Sequence, residues 1–206
     1  MIEALAESGH LDLRSAVPPV EQPGTRTSKP GAATEPLNVL FICTANICRS
    51  AYMEIRARQL AEGAAGLRFS SAGTHGFTDH KMNDVMASTL DEPDGAFRSQ
   101  RLTRQLVEQA DVILTAEATH RAFILEEYPE AFRRVFTLGQ FAANVGQFDG
   151  LRGRDLIAAA GQRRSAADPA FDVADPYRRG NVAAETAAGT ISTMLSVIVP
   201  ALAEEK

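Results

Sequence analysis

Cys43 is followed six residues later by Arg49, with Ser50 next, in the run Cys43-Thr44-Ala45-Asn46-Ile47-Cys48-Arg49-Ser50. A thiolate is a strong nucleophile, and a guanidinium is a planar fork that matches two oxygens of a phosphate. A tight turn between them aims successive backbone N–H groups into one concavity, which suits an anion with several oxygens. A helix starting at the end of the turn adds positive potential. In such settings a thiol pKa falls from about 8.5 to roughly 3.5–7.5. Ser50 can cap the helix and donate its hydroxyl to the thiolate. The sum is a phosphate receptor with a nucleophile at its floor. A poor leaving group such as a phenolate also asks for an acid, and Asp168, Asp172 and Asp175 lie together in one later segment.

The elements around this run place it. "LNVLFI", 37–42, is a short apolar run that reads as a buried strand. "AYMEIRARQLAEG" follows as a helix with Met53, Ala57 and Leu60 on one face and a stop at Gly63. "LRFSSAG", "DVILTA" and "RRVFTL" read as three further strands. "KMNDVMASTLDE", "TRQLVEQA" and "EATHRAFILEEYP" read as helices, the last stopped by Pro129. Ile191, Met194, Leu195, Ile198 and Leu202 form the buried stripe of a final helix starting near Val182, which Pro200 should kink or end. Strands alternating with helices predict an α/β fold, a single domain with a four-stranded parallel twisted sheet and helices on both faces. Ligand sites in such sheets lie at the carboxyl ends of the strands, where the Cys43 run sits.

Composition narrows the class. The chain has 206 residues, 45% of them hydrophobic and 23% charged, as in an ordinary globular protein. A net charge of -5 argues against nonspecific nucleic-acid binding. No apolar run approaches the roughly 20 residues of a membrane span, so no membrane insertion is expected. The N-terminus has no basic region before an apolar core and does not read as a secretory signal. Two cysteines make no disulfide framework, and the cytoplasm is the expected compartment. Residues 1–36 read as a flexible, disordered tail, because 15–36 are rich in Pro, Gly, Ser and Thr, and 3–14 could form a short helix. The domain is expected over 37–206.

"CTANICRS" after "VLFI", "SSAGT" at 70–74, "ADVILTAEATHRAFIL" at 110–125 and "DPYRRG" at 175–180 together resemble the low-molecular-weight protein tyrosine phosphatases of bacterial type, from about Leu37 to Ala203. The resemblance implies that Cys43 takes the phosphoryl group, Arg49 holds its oxygens and Asp175 is the acid, carried by a loop that Pro176 stiffens. It implies that Thr44, Ala45, Asn46, Ile47, Cys48 and Ser50 form the phosphate loop, that Asn46 and Ser71 brace it, and that Phe77 and Tyr177 are aromatic walls. No metal and no other cofactor is expected, since Arg49 and the backbone cup supply the positive field. The implied partner is a tyrosine-phosphorylated protein, such as a bacterial tyrosine kinase of polysaccharide export. Ala45 departs from a common Gly, Ala51 from a common Pro, Arg178 from a second Tyr and Phe97 from a His. Residues 139–171 are longer than usual, and "RGRDLIAAAGQRR" reads there as an extra helix with a basic rim. The histidines, His120 among them, read as incidental, although His75 and His80, near the loop after the second strand, could touch the slot mouth.

Two other functions fit in part. Arsenate reductases share a Cys-x5-Arg loop; those that relay to thioredoxin need later cysteines, whereas this chain has none after Cys48. Types using an external small thiol remain. An inactive phosphotyrosine-binding module usually lacks the nucleophile, the arginine or the acid, and all three residue types are present. The spacing of Cys48 from Cys43 suggests a resolving thiol that would trap oxidised Cys43 as a reversible disulfide.

Overall fold

The computed structural model describes residues 35–62, 66–163 and 166–203. The expected tail, apart from Glu35 and Pro36, and the Gly63 stop therefore lie outside the described residues.

Four parallel strands form one sheet: β1 (Leu37–Cys43), β2 (Leu67–Gly73), β3 (Val112–Thr115) and β4 (Val135–Thr137), in the order β2-β1-β3-β4. β1 is central, so Val39 lies between Phe69 and Val112. It is a nearly continuous apolar run because both of its faces are covered. Its side chains alternate between two cores. Val39, Phe41 and Cys43 join one, while Leu40 and Ile42 join the other.

The first core is covered by α1 (Arg49–Leu60), α5 (Leu138–Val145), α6 (Gly153–Gln162) and α7 (Gly180–Leu202). The second is covered by α3 (Arg104–Gln109) and α4 (Ala118–Glu127). The α/β sheet with helices on both faces is thus the observed architecture. The turn from β1 to α1 sits where the chain leaves a central strand, with β2 paired on one side and β3 on the other. Such a switch point opens a crevice at the carboxyl edge.

Several elements differ from expectation. The helix read over 81–92 shrinks to α2 (Asp84–Ala87), capped by Asn83, whose side chain accepts from the Met86 N–H. Pro93 and Gly95 just beyond leave little chain for a longer helix. The extended connection holds two helices rather than one, since α5 precedes the anticipated α6. α6 packs on the core through Leu156, Ile157 and Ala160, which are buried. α7 starts at Gly180 and runs two residues past Pro200. Pro200 lies in the last turn, where few backbone bonds remain to be lost.

α7 also corrects the expectation about apolar length. Among the described residues it is the one helix long and apolar enough to cross a membrane. Its Ile191, Leu195, Ile198 and Leu202 are nevertheless buried in the domain core, as the stripe predicted.

Candidate active site

The cup forms because the β1–α1 turn is stitched to its neighbours by its carbonyls. The oxygens of Cys43, Thr44 and Ile47 accept from the N–H groups of Thr74, His75 and Asn83 at 3.0, 2.8 and 2.8 Å. Peptide planes turned this way leave the loop amides for the concave side. The positive φ falls on Asn46, at 56°, and not on Ala45, so the Ala-for-Gly departure is free of left-handed strain. Asn tolerates that region better than most residues.

Two glycines let the loop after β2 press against the cup. A Cβ on Gly73 would stand 2.7 Å from the Thr44 carbonyl oxygen. One on Gly76 would stand 2.9 Å from the Ala45 Cα.

Asn46 is wholly buried and uses its whole amide. Its Nδ2 donates to Ser50 Oγ at 2.9 Å and to Ser71 Oγ at 2.7 Å, and its Oδ1 accepts from the Gln100 N–H at 2.8 Å. Ser71 in turn donates to Glu54, whose carboxyl is pushed up by burial, against the pull of Ser71 and Arg58. At the other end Ser50 Oγ lies 3.0 Å from Cys43 Sγ. A chain of polar side chains therefore runs from Glu54 to the sulfur. Ser50 does not cap α1, because it lies inside the first turn. Cys48 occupies the N-cap position without a side-chain bond.

Arg49 is only 2% exposed. Its Nη1 donates to Glu117 and to the Val173 carbonyl at 3.0 Å, and its Nη2 lies 3.3 Å from Asp175 Oδ1. Its Nε has no partner among the described residues. Burial pushes the Glu117 carboxyl up, but the charge and hydrogen bond of Arg49 outweigh that and hold it below its usual value. His120 is buried beside it, and its Nε2 pairs with Thr44 Oγ1 at 2.9 Å. Burial first and then the Arg49 charge lower its pKa to about 4, so it is neutral above that pH.

Neither Glu117 nor His120 was marked by sequence reasoning, and treating His120 as incidental is corrected. Both follow the carboxyl end of β3, the edge where such sheets bind ligands. That position was the available signal.

Cys43, Thr44, Ala45, Ile47, Cys48, Arg49, Phe77, Asp175 and Tyr177 line one slot of about 190 Å³. Asn46, Ser50 and Ser71 lie behind it as a brace. The rival aspartates are occupied elsewhere. Asp172 Oδ1 accepts from the Ala118 N–H at 2.9 Å and so caps α4, while Asp168 Oδ1 accepts from Ala170 at 2.9 Å. Asp175 alone of the three faces the slot. No cluster of His, Cys, Asp and Glu suited to a metal occurs among the described residues.

The family model for low molecular weight phosphotyrosine protein phosphatases matches residues 38–150. This chain belongs to that family. A protein-arginine-phosphatase of Geobacillus stearothermophilus is 31% identical over 114 residues, 53% of this chain and 74% of that protein. The low molecular weight protein-tyrosine-phosphatase Etp of Escherichia coli is 32% identical over 108 residues, 50% of this chain and 70% of Etp. The solved structure of the YwlE arginine phosphatase from Geobacillus stearothermophilus superposes with a TM-score of 0.63 at 24% identity, covering 80% of this chain and 92% of that one, and shows the shared fold. The chain is accordingly a phosphatase. The family model ends before Asp175, so the loop 175–180 rests on the geometry above.

Proposed function

We propose that this phosphatase hydrolyses phosphotyrosine through a cysteinyl-phosphate on Cys43. The observation that carries the reading is a buried Arg49 with an unpartnered Nε in the same slot as the Cys43 thiol. Glu117 and the Val173 carbonyl fix the Nη1 edge, which leaves the unpartnered Nε, with Nη2 turning from Asp175, as a fork for two phosphoryl oxygens. The Cys43 sulfur attacks phosphorus as the phenolate departs with the proton of Asp175. Asp175 then takes a proton from the water that cleaves the thiophosphate. Arg49 and the loop amides stabilise the equatorial charge of both transition states.

The relatives' names divide between arginine and tyrosine phosphatases, and the slot walls favour the second for this chain. A phosphoarginine buries several N–H donors that need acceptors. Here Ala45, Ile47, Phe77 and Tyr177 line the slot, the Thr44 hydroxyl is paired with His120 Nε2, and the carboxylate that lines the slot is already paired with Arg49. An aromatic ring needs only apolar walls. A tyrosine-phosphorylated protein in the cytoplasm, such as a kinase of polysaccharide export, is the proposed partner. Cys48 is proposed as the thiol that traps oxidised Cys43.

The test is turnover of phosphotyrosine, phosphoarginine and phosphoserine peptides, p-nitrophenyl phosphate and arsenate side by side, with a chelator present. Phosphotyrosine and p-nitrophenyl phosphate should be hydrolysed, and Cys43→Ser should abolish both. Asp175→Asn should slow phosphotyrosine by about 10²–10⁴-fold and p-nitrophenyl phosphate, whose leaving group needs less help, by less. Faster turnover of phosphoarginine or reduction of arsenate would overturn the assignment.

A further inference from the structure

Each aromatic wall of the slot is backed by a basic side chain. The Arg178 guanidinium lies 5.1 Å from the Tyr177 ring centroid, and the His80 ring lies 4.6 Å from that of Phe77. Arg178 is exposed and has no carboxylate partner among the described residues. Asp175, three residues before it, pairs instead with Arg49. The backbone of Arg178 adds a second observation. Its φ is +58°, a region that glycine enters freely and arginine does not. An arginine held there places its guanidinium against the ring that lines the slot, next to the slot and not within it.

We infer that Arg178 reads an anionic side chain close to the phosphotyrosine of the substrate, a carboxylate or a second phosphate. The inference rests on the phosphotyrosine reading and names the substrate class within it. The slot takes one phosphorylated ring between Phe77 and Tyr177, so the flanking residues of the peptide must pass over the rim. An extended peptide advances about 3.3 Å per residue, which brings a residue one or two positions away within reach of an arginine at the rim. Stacking on Tyr177 orders the guanidinium before the substrate arrives, which lowers the entropy lost on binding. The whole chain carries a net charge of -5, so the preference has to come from the rim and not from bulk attraction.

The experiment compares three phosphotyrosine peptides that differ only in their flanks: two glutamates, two glutamines, or a glutamine and a second phosphotyrosine. For the protein as it stands, kcat/KM for the glutamate peptide should exceed that for the glutamine peptide by about three- to tenfold at low salt, through KM, with the doubly phosphorylated peptide at least as favoured. The ratio should shrink in half-molar salt, since exposed charges are screened. Arg178→Gln should bring it near one, and Arg178→Lys, which keeps the charge but loses the stacked planar fork, should keep only part of it. Because it is a ratio, any change of slot shape common to the peptides cancels. A ratio near one in the wild type, or one unchanged in Arg178→Gln, would overturn this inference alone while the peptides are still hydrolysed. No hydrolysis of any phosphotyrosine peptide would overturn the phosphotyrosine reading and this inference with it.

Discussion

Cys48 is a buried thiol whose surroundings keep it protonated. Burial, then the neighbouring Cys43 and Asp175, push its pKa up to about 12, against the pull of Arg49. It is therefore a poor nucleophile in the resting site and does not compete with Cys43 for the phosphoryl group. Peroxide changes the balance. On the proposed redox role, oxidation converts Cys43 to a sulfenic acid beside Cys48. In that proposal Cys48 attacks the oxidised sulfur, forming the disulfide and releasing water. Wild-type protein treated with peroxide and then dithiothreitol should recover most of its activity, and Cys48→Ser should stay inactive. Equal recovery would leave Cys48 as packing. At this scale the sequence was informative where chemistry is concentrated in one contiguous run. Cys43 to Ser50 could be read because neighbours in sequence are neighbours in space. Glu117, His120 and Gln100 meet that run only through the sheet, at separations of 54 to 76 residues, and nothing local marks them.

The cup depends on close approach between elements, and two glycines separate its needs from those of the fold. Gly73 ends β2, and its missing side chain lets the β1–α1 turn sit against it; an added Cβ would lie 2.7 Å from the carbonyl oxygens of Thr44 and His75. Those are backbone atoms of the cup and its brace, so the loop must shift to make room. Gly161, in the last turn of α6, is tighter, with a Cβ position 2.2 Å from the Arg133 carbonyl oxygen, yet it is remote from the slot. Gly73→Ala should lower kcat/KM by at least about tenfold, since displacements of an ångström can cost about 10²-fold. Gly161→Ala should lower stability by about 1–3 kcal/mol, as overpacking does, with kcat/KM kept within about twofold. Turnover and urea midpoints measured on both variants check this, and a more damaging Gly161→Ala in turnover would refute it. The same elements show what the pattern could yield. The apolar run of β1 and the α7 stripe were plain because one repeating face was buried. α5 was missed because it follows β4 without a break, Thr137 both ending the strand and capping the helix through its hydroxyl at 3.1 Å from the Gln140 N.

Across the whole molecule, the site lies where both cores meet, and its titrating groups tie function to stability. His120 comes from α4 on one face, pairs with Thr44 at the end of β1, and is packed beside Arg49 from α1 on the other face. Its pKa falls from 6.5 in a free chain to about 4 in the fold, because burial and then the Arg49 charge oppose the cation. Above pH 6.5 neither state holds the proton, and His120 contributes no pH dependence. As pH falls from 6.5 toward 4, the unfolded chain binds a proton that the fold refuses, so stability declines. Glu117 adds to the decline only below its free value of 4.5, since its folded pKa is depressed. Glu54 and Asp172, both raised mainly by burial, act in the opposite sense, because the fold accepts their protons more readily. His120→Gln isolates the first effect, since an amide can still pair with Thr44 but does not titrate. The urea midpoint of the wild type should fall more steeply than that of His120→Gln between pH 6.5 and pH 4.5, where Glu117 is still ionised. Parallel slopes in that interval would mean that His120 already takes its proton inside the fold. The contact between the two faces at Thr44 would then be that of a cation.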